Sequence, residues 1–319
     1  MTAEPAPIEV DALAGGKFRD PDLTADGERR AAVALAALRT LWFNTGTLCN
    51  LTCRNCYIES SPTNDRLVYM PLADVVRFLD EIADAGLPTR EIGLTGGEPF
   101  MNPDIAPIVE TCLERGFSVL VLTNAMRPMM KRAGDLLRLK EIHGDRLAIR
   151  VSLDHYGPAL HEMERGKRSW KPALAGFAWL VDNGFNVHVC GRTCWDEPED
   201  SLRAGFARLF AGHGIDFDAD DPVRLTLLPE MDETVDVPEI TERCWDILGV
   251  SPDAMMCATQ RMVVKRRGEP ASVVSCTLLP YDTQFDLGRS LAEAAGEVKL
   301  NHPHCSRFCV LGGGACSRG

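Results

Sequence analysis

The chain has 319 residues, 45% hydrophobic and 25% charged, a composition typical of a folded protein with room for one large domain and a smaller one. Its net charge is −12, and no Lys/Arg run exceeds the one in "VKRRG" (264–268), which argues against nucleic acid as the main partner. The longest nearly apolar run (31–43) is too short for a membrane span, and the first residues lack the pattern of a signal peptide. We therefore expect a cytoplasmic protein with no membrane partner.

After an N-terminal arm predicted over 1–38, short apolar runs alternate with amphipathic helical stretches. The predicted strands cover 41–46, 91–97, 117–124, 146–154, 186–193 and 223–230, and the predicted helices cover 72–86, 103–116, 127–141, 170–183 and 199–211. Because parallel strands need crossover connections, this alternation predicts an α/β fold with helices outside a parallel sheet. We assign 39–238 to a partial (β/α)6 TIM-like barrel, with chemistry at the carboxyl ends of its strands. A doubly wound sheet is the alternative.

The pattern changes in the last part of the chain, 239–319. The stretch "RMVVKRRGEPASVVSC" (261–276) predicts two short strands around a turn, and "SLAEAAG" (290–296) predicts a short helix. A cysteine-bearing tail follows. We therefore expect a small C-terminal hairpin–helix domain.

Twelve cysteines are many for a cytoplasmic chain, where disulfides are rare and clustered thiols favour metal binding or catalysis. Three of them, Cys49, Cys53 and Cys56, form the pattern C-x3-C-x2-C, and the next cysteine is more than fifty residues away. Three thiolates can hold three irons of a [4Fe–4S] cluster and leave the fourth iron open to another ligand.

This cysteine pattern, placed directly after the first strand and followed by "TGGEP" (95–99), resembles the radical S-adenosylmethionine (radical SAM) superfamily. The segments "TNA" (123–125) and "VSLD" (151–154) resemble further sequences of that family. The resemblance implies a [4Fe–4S] cluster on the three cysteines, with SAM bound to the open iron. It also implies one-electron cleavage of SAM to a 5′-deoxyadenosyl radical that removes a hydrogen atom from the substrate.

The "TGGEP" segment is expected to bind SAM through Gly96, Gly97, Glu98 and Pro99. Glycines let a backbone approach a ligand closely, and a glutamate can accept charge-assisted hydrogen bonds from the SAM ammonium group. The family usually has an aromatic residue just before the third cysteine, where this chain has Asn55. Tyr57 could supply the aromatic face instead.

Polar residues at other strand ends are further candidates for SAM contacts: Asn124, Ser152, Asp154 and Arg192. The alternatives are capping of the following loop for the short side chains and an ordinary surface salt bridge for Arg192. Cys194 is a candidate hydrogen-atom donor, with a small buried thiol as the alternative. His155 and His161 could act as acid or base groups, or could simply be solvated.

A second cysteine group resembles the twitch or SPASM extension of radical SAM enzymes, which binds auxiliary Fe–S clusters. It comprises Cys257, Cys276, Cys305, Cys309 and Cys316, the last within "GGGAC" (312–316). Four of the five are expected to hold one auxiliary cluster of the [4Fe–4S] type, with Cys257 and Cys276 as the firm choices. A structural zinc ion is the alternative, because four thiolates are also a common zinc set.

The leading functional hypothesis is a radical SAM enzyme that oxidises or rearranges a small molecule. Only about forty residues precede the first strand, too few for a fused peptide-recognition domain, but cross-linking, epimerisation or oxidation of a ribosomally made peptide is the alternative. A hypothesis of another class is a non-catalytic Fe–S or zinc protein for electron transfer or sensing. The family implies a low-potential flavodoxin or ferredoxin as electron donor.

Overall fold

The computed structural model describes residues 16–230, 232 and 234–314. The strands are β1 (Ala32–Val33), β2 (Thr40–Asn44), β3 (Glu91–Thr95), β4 (Ser118–Thr123), β5 (Leu147–Ser152), β6 (Asn186–Arg192), β7 (Leu225–Leu228), β8 (Gln260–Val264), β9 (Ser272–Val274) and β10 (Val298–Lys299). The helices are α1 (Leu72–Asp84), α2 (Ile105–Glu114), α3 (Arg127–Met130), α4 (Ala133–His143), α5 (Pro158–Arg165), α6 (Trp170–Asp182), α7 (Glu199–Gly212) and α8 (Cys244–Leu248).

One eight-stranded sheet has the strand order β7-β6-β5-β4-β3-β2-β8-β9. Strands β2 to β7 pair in parallel with their sequence neighbours, which confirms the six predicted strand-and-helix units. A doubly wound sheet would reverse its strand order at a switch point, and this sheet does not. The sheet ends at β7 on one side and β9 on the other, so the barrel is partial.

The C-terminal hairpin belongs to the same sheet. Strand β8 pairs in parallel with β2, with Trp42 opposite Met262, and β9 pairs antiparallel with β8. The Trp42 indole also donates from Nε1 to Gln260 Oε1 at 2.9 Å. The boundary proposed at 238/239 therefore separates two parts of the chain that share one sheet.

Alternating strand residues divide the buried side chains into two cores. Leu41 and Phe43 of β2 point to the helices, whose apolar faces cover the outside of the sheet. Trp42 and Leu120 point to the concave side, where the C-terminal segment, including Phe308, packs against them. The C-terminal segment that carries the second cysteine group thus covers part of the concave face of the sheet.

The N-terminal arm, in its described part, is anchored to the C-terminal half. Strand β1 pairs antiparallel with β10, with Ala32 opposite Lys299. The buried Arg30 forms an ion pair with Glu239 at 2.6 Å. Lys17 and Asp236 form a more exposed pair at 2.6 Å.

Several local predictions differ from the structure. The helix predicted over 127–141 is broken into α3 and α4, and the helix predicted over 290–296 is only a short 3₁₀ turn, Glu293–Ala295. Helices α5 and α8 were not predicted, and the tail contains a π-helix, Cys305–Leu311. None of the described helices is long and apolar enough to cross a lipid bilayer.

Candidate metal centre and active site

The three cysteines of the first group line one cleft at the carboxyl ends of the barrel strands. None of them is in a disulfide. Backbone N–H groups point at two of the sulfurs, from Leu51 to Cys49 Sγ at 3.4 Å and from Ser60 to Cys56 Sγ at 3.3 Å. Hydrogen bonds to sulfur are typical of thiolates that hold Fe–S clusters.

Burial dominates the electrostatics of these thiols. It raises the pKa of Cys49 to about 12, and the charges of Glu98 and the other two cysteines add to this effect. Burial also raises the pKa of Cys53, whereas the nearby Arg165 guanidinium lowers it. Deprotonated thiols in such a site need a positive partner, and a metal centre provides one.

The donor set fits a [4Fe–4S] cluster bound through three cysteines. The thiols share one cleft, and N–H groups support two of them. In residues 16–230, 232 and 234–314, no three His, Cys, Asp or Glu side chains converge as the ligands of a single ion do. The fit therefore rests on the shared cleft and on the thiol chemistry, since each cysteine of a cluster binds a different iron.

The "TGGEP" loop packs directly against the cysteine loop. The N–H groups of Gly97 and Glu98 donate to the carbonyl oxygens of Gly46 and Leu48 at 2.7 and 3.1 Å. Gly96 has φ +136°, and a Cβ at Gly97 would lie 2.2 Å from the Leu48 carbonyl oxygen. Both glycines also line the cleft. In this structure, the close approach that they permit is to the chain's own cysteine loop.

Glu98 is buried and fixes this loop to the end of β4. Its carboxylate accepts hydrogen bonds from Thr123 Oγ1 at 2.8 Å, from the Asn124 N–H at 2.9 Å and from the Phe100 N–H at 3.2 Å. Burial raises the pKa of Glu98 to about 7, although the three hydrogen bonds act in the opposite direction. Neither Glu98 nor Pro99 is among the residues that line the cleft.

Asn124 lies beside the first cysteine. Its side-chain amide donates to Asn50 Oδ1 at 2.9 Å and lies 4.0 Å from Cys49 Sγ. Its Oδ1 accepts the N–H of Met126 at 3.1 Å. The side chain therefore caps the following turn and also reaches the cysteine loop.

A network of buried charges forms another wall of the cleft. Arg165 pairs with Asp154 at 2.7 Å, and Arg192 lies 3.8 Å from both Asp154 and Glu164. Arg192 also donates to the Asn55 carbonyl oxygen at 3.0 Å. Arg192 is thus part of the site and not of an ordinary surface salt bridge.

Asn55 is held at the end of α5. Its backbone N–H and its side-chain amide each donate to one carboxylate oxygen of Glu164, both at 2.9 Å. The Arg54 N–H donates to the Glu164 carbonyl oxygen at 2.7 Å. At the position that the family usually fills with an aromatic residue, this chain therefore has an amide that binds a buried carboxylate.

The cleft has both polar and apolar lining residues. Ser152 and Tyr57 line it, as predicted candidates, together with Cys190 and Thr226. Its apolar wall contains Ile58, Leu122, Leu228, Pro229, Leu278 and Phe308. Since Leu278 and Phe308 belong to the C-terminal segment, both parts of the chain build one site.

Comparison with known proteins identifies this arrangement. The sequence profile of the radical SAM superfamily matches residues 43–198, which include the cysteine loop, the "TGGEP" loop and α5. Residues 43–198 therefore form a radical SAM domain. The family implies a [4Fe–4S] cluster together with SAM.

Among curated relatives of this chain, the bacteriocin biosynthesis protein AlbA of Bacillus subtilis is 31% identical over 142 residues, 44% of this chain and 30% of AlbA. A GTP 3′,8-cyclase of Rhodococcus opacus is 35% identical over 81 residues, 24% of this chain and 23% of that protein. The chain thus spans less than a third of the length of each.

Solved radical SAM structures share the fold. Streptococcus suis SuiB bound to S-adenosylmethionine superposes with a TM-score of 0.58 at 15% identity, over 79% of this chain and 63% of SuiB. Native anSMEcpe with bound AdoMet also gives a TM-score of 0.58, at 13% identity, over 80% of this chain and 79% of that one.

Three cysteines of the second group interact electrostatically with one another. The thiols of Cys257, Cys276 and Cys305 are near enough for their charges to interact, and burial raises the pKa of Cys257 to about 12. Cys309 lies on the same π-helix as Cys305. Cys316 lies outside the described residues. The auxiliary metal site therefore stays a prediction, supported by the electrostatic interaction of three of its five thiols.

Glu164, Arg165 and Cys190 are among the residues of the cleft that were not predicted. The alternation along β6 could have indicated Cys190, because its position has the same parity as that of Arg192. Cys194 does not line the cleft, and burial raises its pKa to about 11. His155 is buried and lies 3.1 Å from Glu197, and His161 is buried on α5 and does not line the cleft.

Proposed function

We propose that the chain is a radical SAM enzyme that abstracts a hydrogen atom from its substrate. The observation that carries this proposal is the convergence of three thiols, the "TGGEP" loop and a charged wall on one cleft. With the cluster and SAM bound, the site would supply one-electron reductive cleavage of the SAM sulfonium bond and a 5′-deoxyadenosyl radical.

Within this proposal, Cys49, Cys53 and Cys56 hold three irons, and the open iron faces the cleft. Arg192 is proposed to bind the SAM carboxylate, because its buried Nη1 makes no hydrogen bond among the described residues. Ser152 and Asp154 are proposed to contact SAM from the end of β5, and Tyr57 to contact the adenine.

We propose a positioning role for Glu98. Its oxygens already accept three hydrogen bonds from the protein, so it acts on SAM through the loop that it orders. Gly96 and Gly97 supply the part of that loop that borders the cleft. Pro99 begins the short 3₁₀ turn that follows.

The C-terminal part is proposed to bind an auxiliary [4Fe–4S] cluster. Cys257, Cys276 and Cys305 are three of its ligands, and Cys309 or Cys316 is the fourth. Backbone N–H groups of Leu278 and Leu279 interact with the Cys276 sulfur, as they do around thiolate ligands. A structural zinc ion is the alternative that metal analysis separates from this one.

The substrate is proposed to place an apolar group against Leu122, Leu278 and Phe308, which line the cleft. The curated relatives include a bacteriocin biosynthesis protein and GTP cyclases, so a peptide and a small molecule are both supported as substrate classes. Structural neighbours solved with the peptides SuiA and Cp18Cys add weight to the peptide class only through their shared fold. A flavodoxin or ferredoxin is the proposed electron donor, and replacing dithionite by reduced flavodoxin tests it.

The test is anaerobic reconstitution followed by iron analysis, EPR and assay of deoxyadenosine release. The proposal expects about eight irons per chain, on the basis of two four-iron clusters, and a reduced EPR signal that changes when SAM is added. Cys49→Ala should remove the SAM response, whereas Cys112→Ala, a buried cysteine on α2, should keep it. An unchanged signal on SAM addition to the wild-type chain would leave the non-catalytic Fe–S hypothesis.

A further inference from the structure

Arg261, on β8, is a buried cation next to the second cysteine group. It is only 1% exposed. Its guanidinium donates four hydrogen bonds to backbone carbonyl oxygens, those of Cys257 at 2.5 Å, Gln260 at 2.8 Å, Ala294 at 2.9 Å and Gly296 at 2.9 Å. It therefore links the turn that carries Cys257 to the turn that precedes β10.

No Asp or Glu among the described residues acts on this guanidinium. The acidic groups that do are the thiols of Cys257 and Cys276. Arg30, which is also fully buried, has the carboxylate of Glu239 at 2.6 Å. Burying a charge without a counter-charge is costly, and carbonyl dipoles offset only part of that cost. Arg261 thus has no carboxylate as a counter-charge among the described residues, but the two thiols beside it could bind an anionic group.

We propose that Arg261 is the counter-charge of an anionic group bound by Cys257, Cys276 and Cys305, and that it raises the reduction potential of a cluster at this site. A cluster bound by four thiolates carries net negative charge, and each added electron increases that charge. A fixed cation nearby therefore favours the reduced form. The inference rests on the auxiliary cluster proposed above.

A structural role alone would give a different result from this charge role. If Arg261 only linked two turns through its carbonyl contacts, a neutral donor and a charged donor of similar length would replace it equally well. The matched variants are therefore Arg261→Gln, which keeps a donor without the charge, and Arg261→Lys, which keeps both.

The test uses the full chain with Cys49, Cys53 and Cys56 all changed to Ala, so that only auxiliary iron remains. After anaerobic reconstitution, iron is counted and the midpoint potential is measured by an EPR-monitored redox titration. We expect a more negative midpoint in Arg261→Gln and a midpoint near that of the parent in Arg261→Lys. Equal midpoints in the two variants would overturn the inference.

Two further outcomes are separated by the same samples. If the parent binds zinc or no metal, the proposal of an auxiliary Fe–S cluster is wrong. The proposed effect of Arg261 on its reduction potential is then wrong as well. If Arg261→Gln does not fold, Arg261→His replaces it, and its midpoint potential and that of the parent are measured at pH 6 and pH 9. A larger fall in midpoint between pH 6 and pH 9 in Arg261→His than in the parent would support the charge role, and the same pH dependence in both chains would contradict it.

Discussion

Gly97 shows how one missing side chain holds two loops together. An added Cβ would lie 2.2 Å from the Leu48 carbonyl oxygen, in the loop that carries Cys49. Because that contact is with backbone, it can be relieved only if one loop moves. Gly134 on α4 offers a matched position, since a Cβ there would meet nothing within 4 Å.

We therefore expect Gly97→Ala to destabilise the metal-free chain by about 1–3 kcal/mol, as overpacking does, and to lower the iron retained after reconstitution. Gly134→Ala should be neutral or stabilising by up to about 1 kcal/mol, because alanine favours a helix. Urea unfolding and iron analysis measure both effects. Equal losses in the two variants would contradict the close packing of the loops.

His161 on α5 gives a pH dependence at the residue scale. It is fully buried, its ring packs against Trp170 with centroids 5.2 Å apart, and neither ring nitrogen has a hydrogen-bond partner among the described residues. Burial, with Arg165, lowers its pKa to about 4, although Asp154 and Glu162 act in the opposite direction. The folded state therefore keeps a neutral imidazole at pH values where the unfolded chain binds a proton.

Because the folded pKa is lowered, stability should fall as pH drops from about 6.5 to 4, by up to about 3 kcal/mol from this group. His161→Phe should remove that part of the slope in urea unfolding measured between pH 7.5 and 5. The exposed His213 provides the control, and His213→Gln should leave the slope unchanged. The assignment fails if His161→Phe keeps the wild-type slope.

At the scale of elements, α5 contacts the loop that carries the three cysteines of the first group. Glu164 accepts both Asn55 donors at 2.9 Å, and Arg192 at the end of β6 binds the Asn55 carbonyl oxygen at 3.0 Å. The loop is therefore held between α5 and β6. An aromatic residue at 55 could not make the side-chain bond.

Asn55→Phe should leave one buried oxygen of Glu164 without its donor and cost about 1–3 kcal/mol. In a double-mutant cycle with Glu164→Met, the two losses should not add, since both remove the same contact. Thr52→Phe, at an exposed position of the same loop, is the control and should change the free energy of unfolding little. Additive losses would show that Asn55 and Glu164 act independently.

Helix α5 could not be predicted from the sequence, in contrast to the barrel strands. The barrel strands were predictable because apolar runs alternate with amphipathic helices at short range. Helix α5 was not, because its buried residues are His161 and Glu164 and no apolar stripe marks it. The three cysteines and the "TGGEP" loop could be joined by their order along the chain. The parallel pairing of β8 with β2, more than two hundred residues apart, leaves no local pattern.

At the scale of the whole molecule, the described parts of the N-terminal arm and the C-terminal segment pack against each other. The C-terminal segment brings Leu278 and Phe308 into the cleft, and its hairpin extends the barrel sheet. The N-terminal arm lies against this segment through β1 and β10. Interactions that anchor the arm therefore also stabilise the segment that carries the second cysteine group, although the arm itself does not line the cleft.

Arg30 provides the sharpest test of that support. Its side chain is fully buried and pairs with Glu239 at 2.6 Å, and it also donates to the carbonyl oxygens of Asp20 and Leu23 at 2.9 and 2.8 Å. Arg30→Met would leave the carboxylate buried without its partner, so we expect a loss of about 3–5 kcal/mol. The neighbouring pair of Arg29 and Glu242 is exposed, and Arg29→Met should cost less than about 1 kcal/mol. Unfolding of the metal-free chains measures both losses, and a loss for Arg30→Met no larger than that for Arg29→Met would mean that the arm does not support the fold.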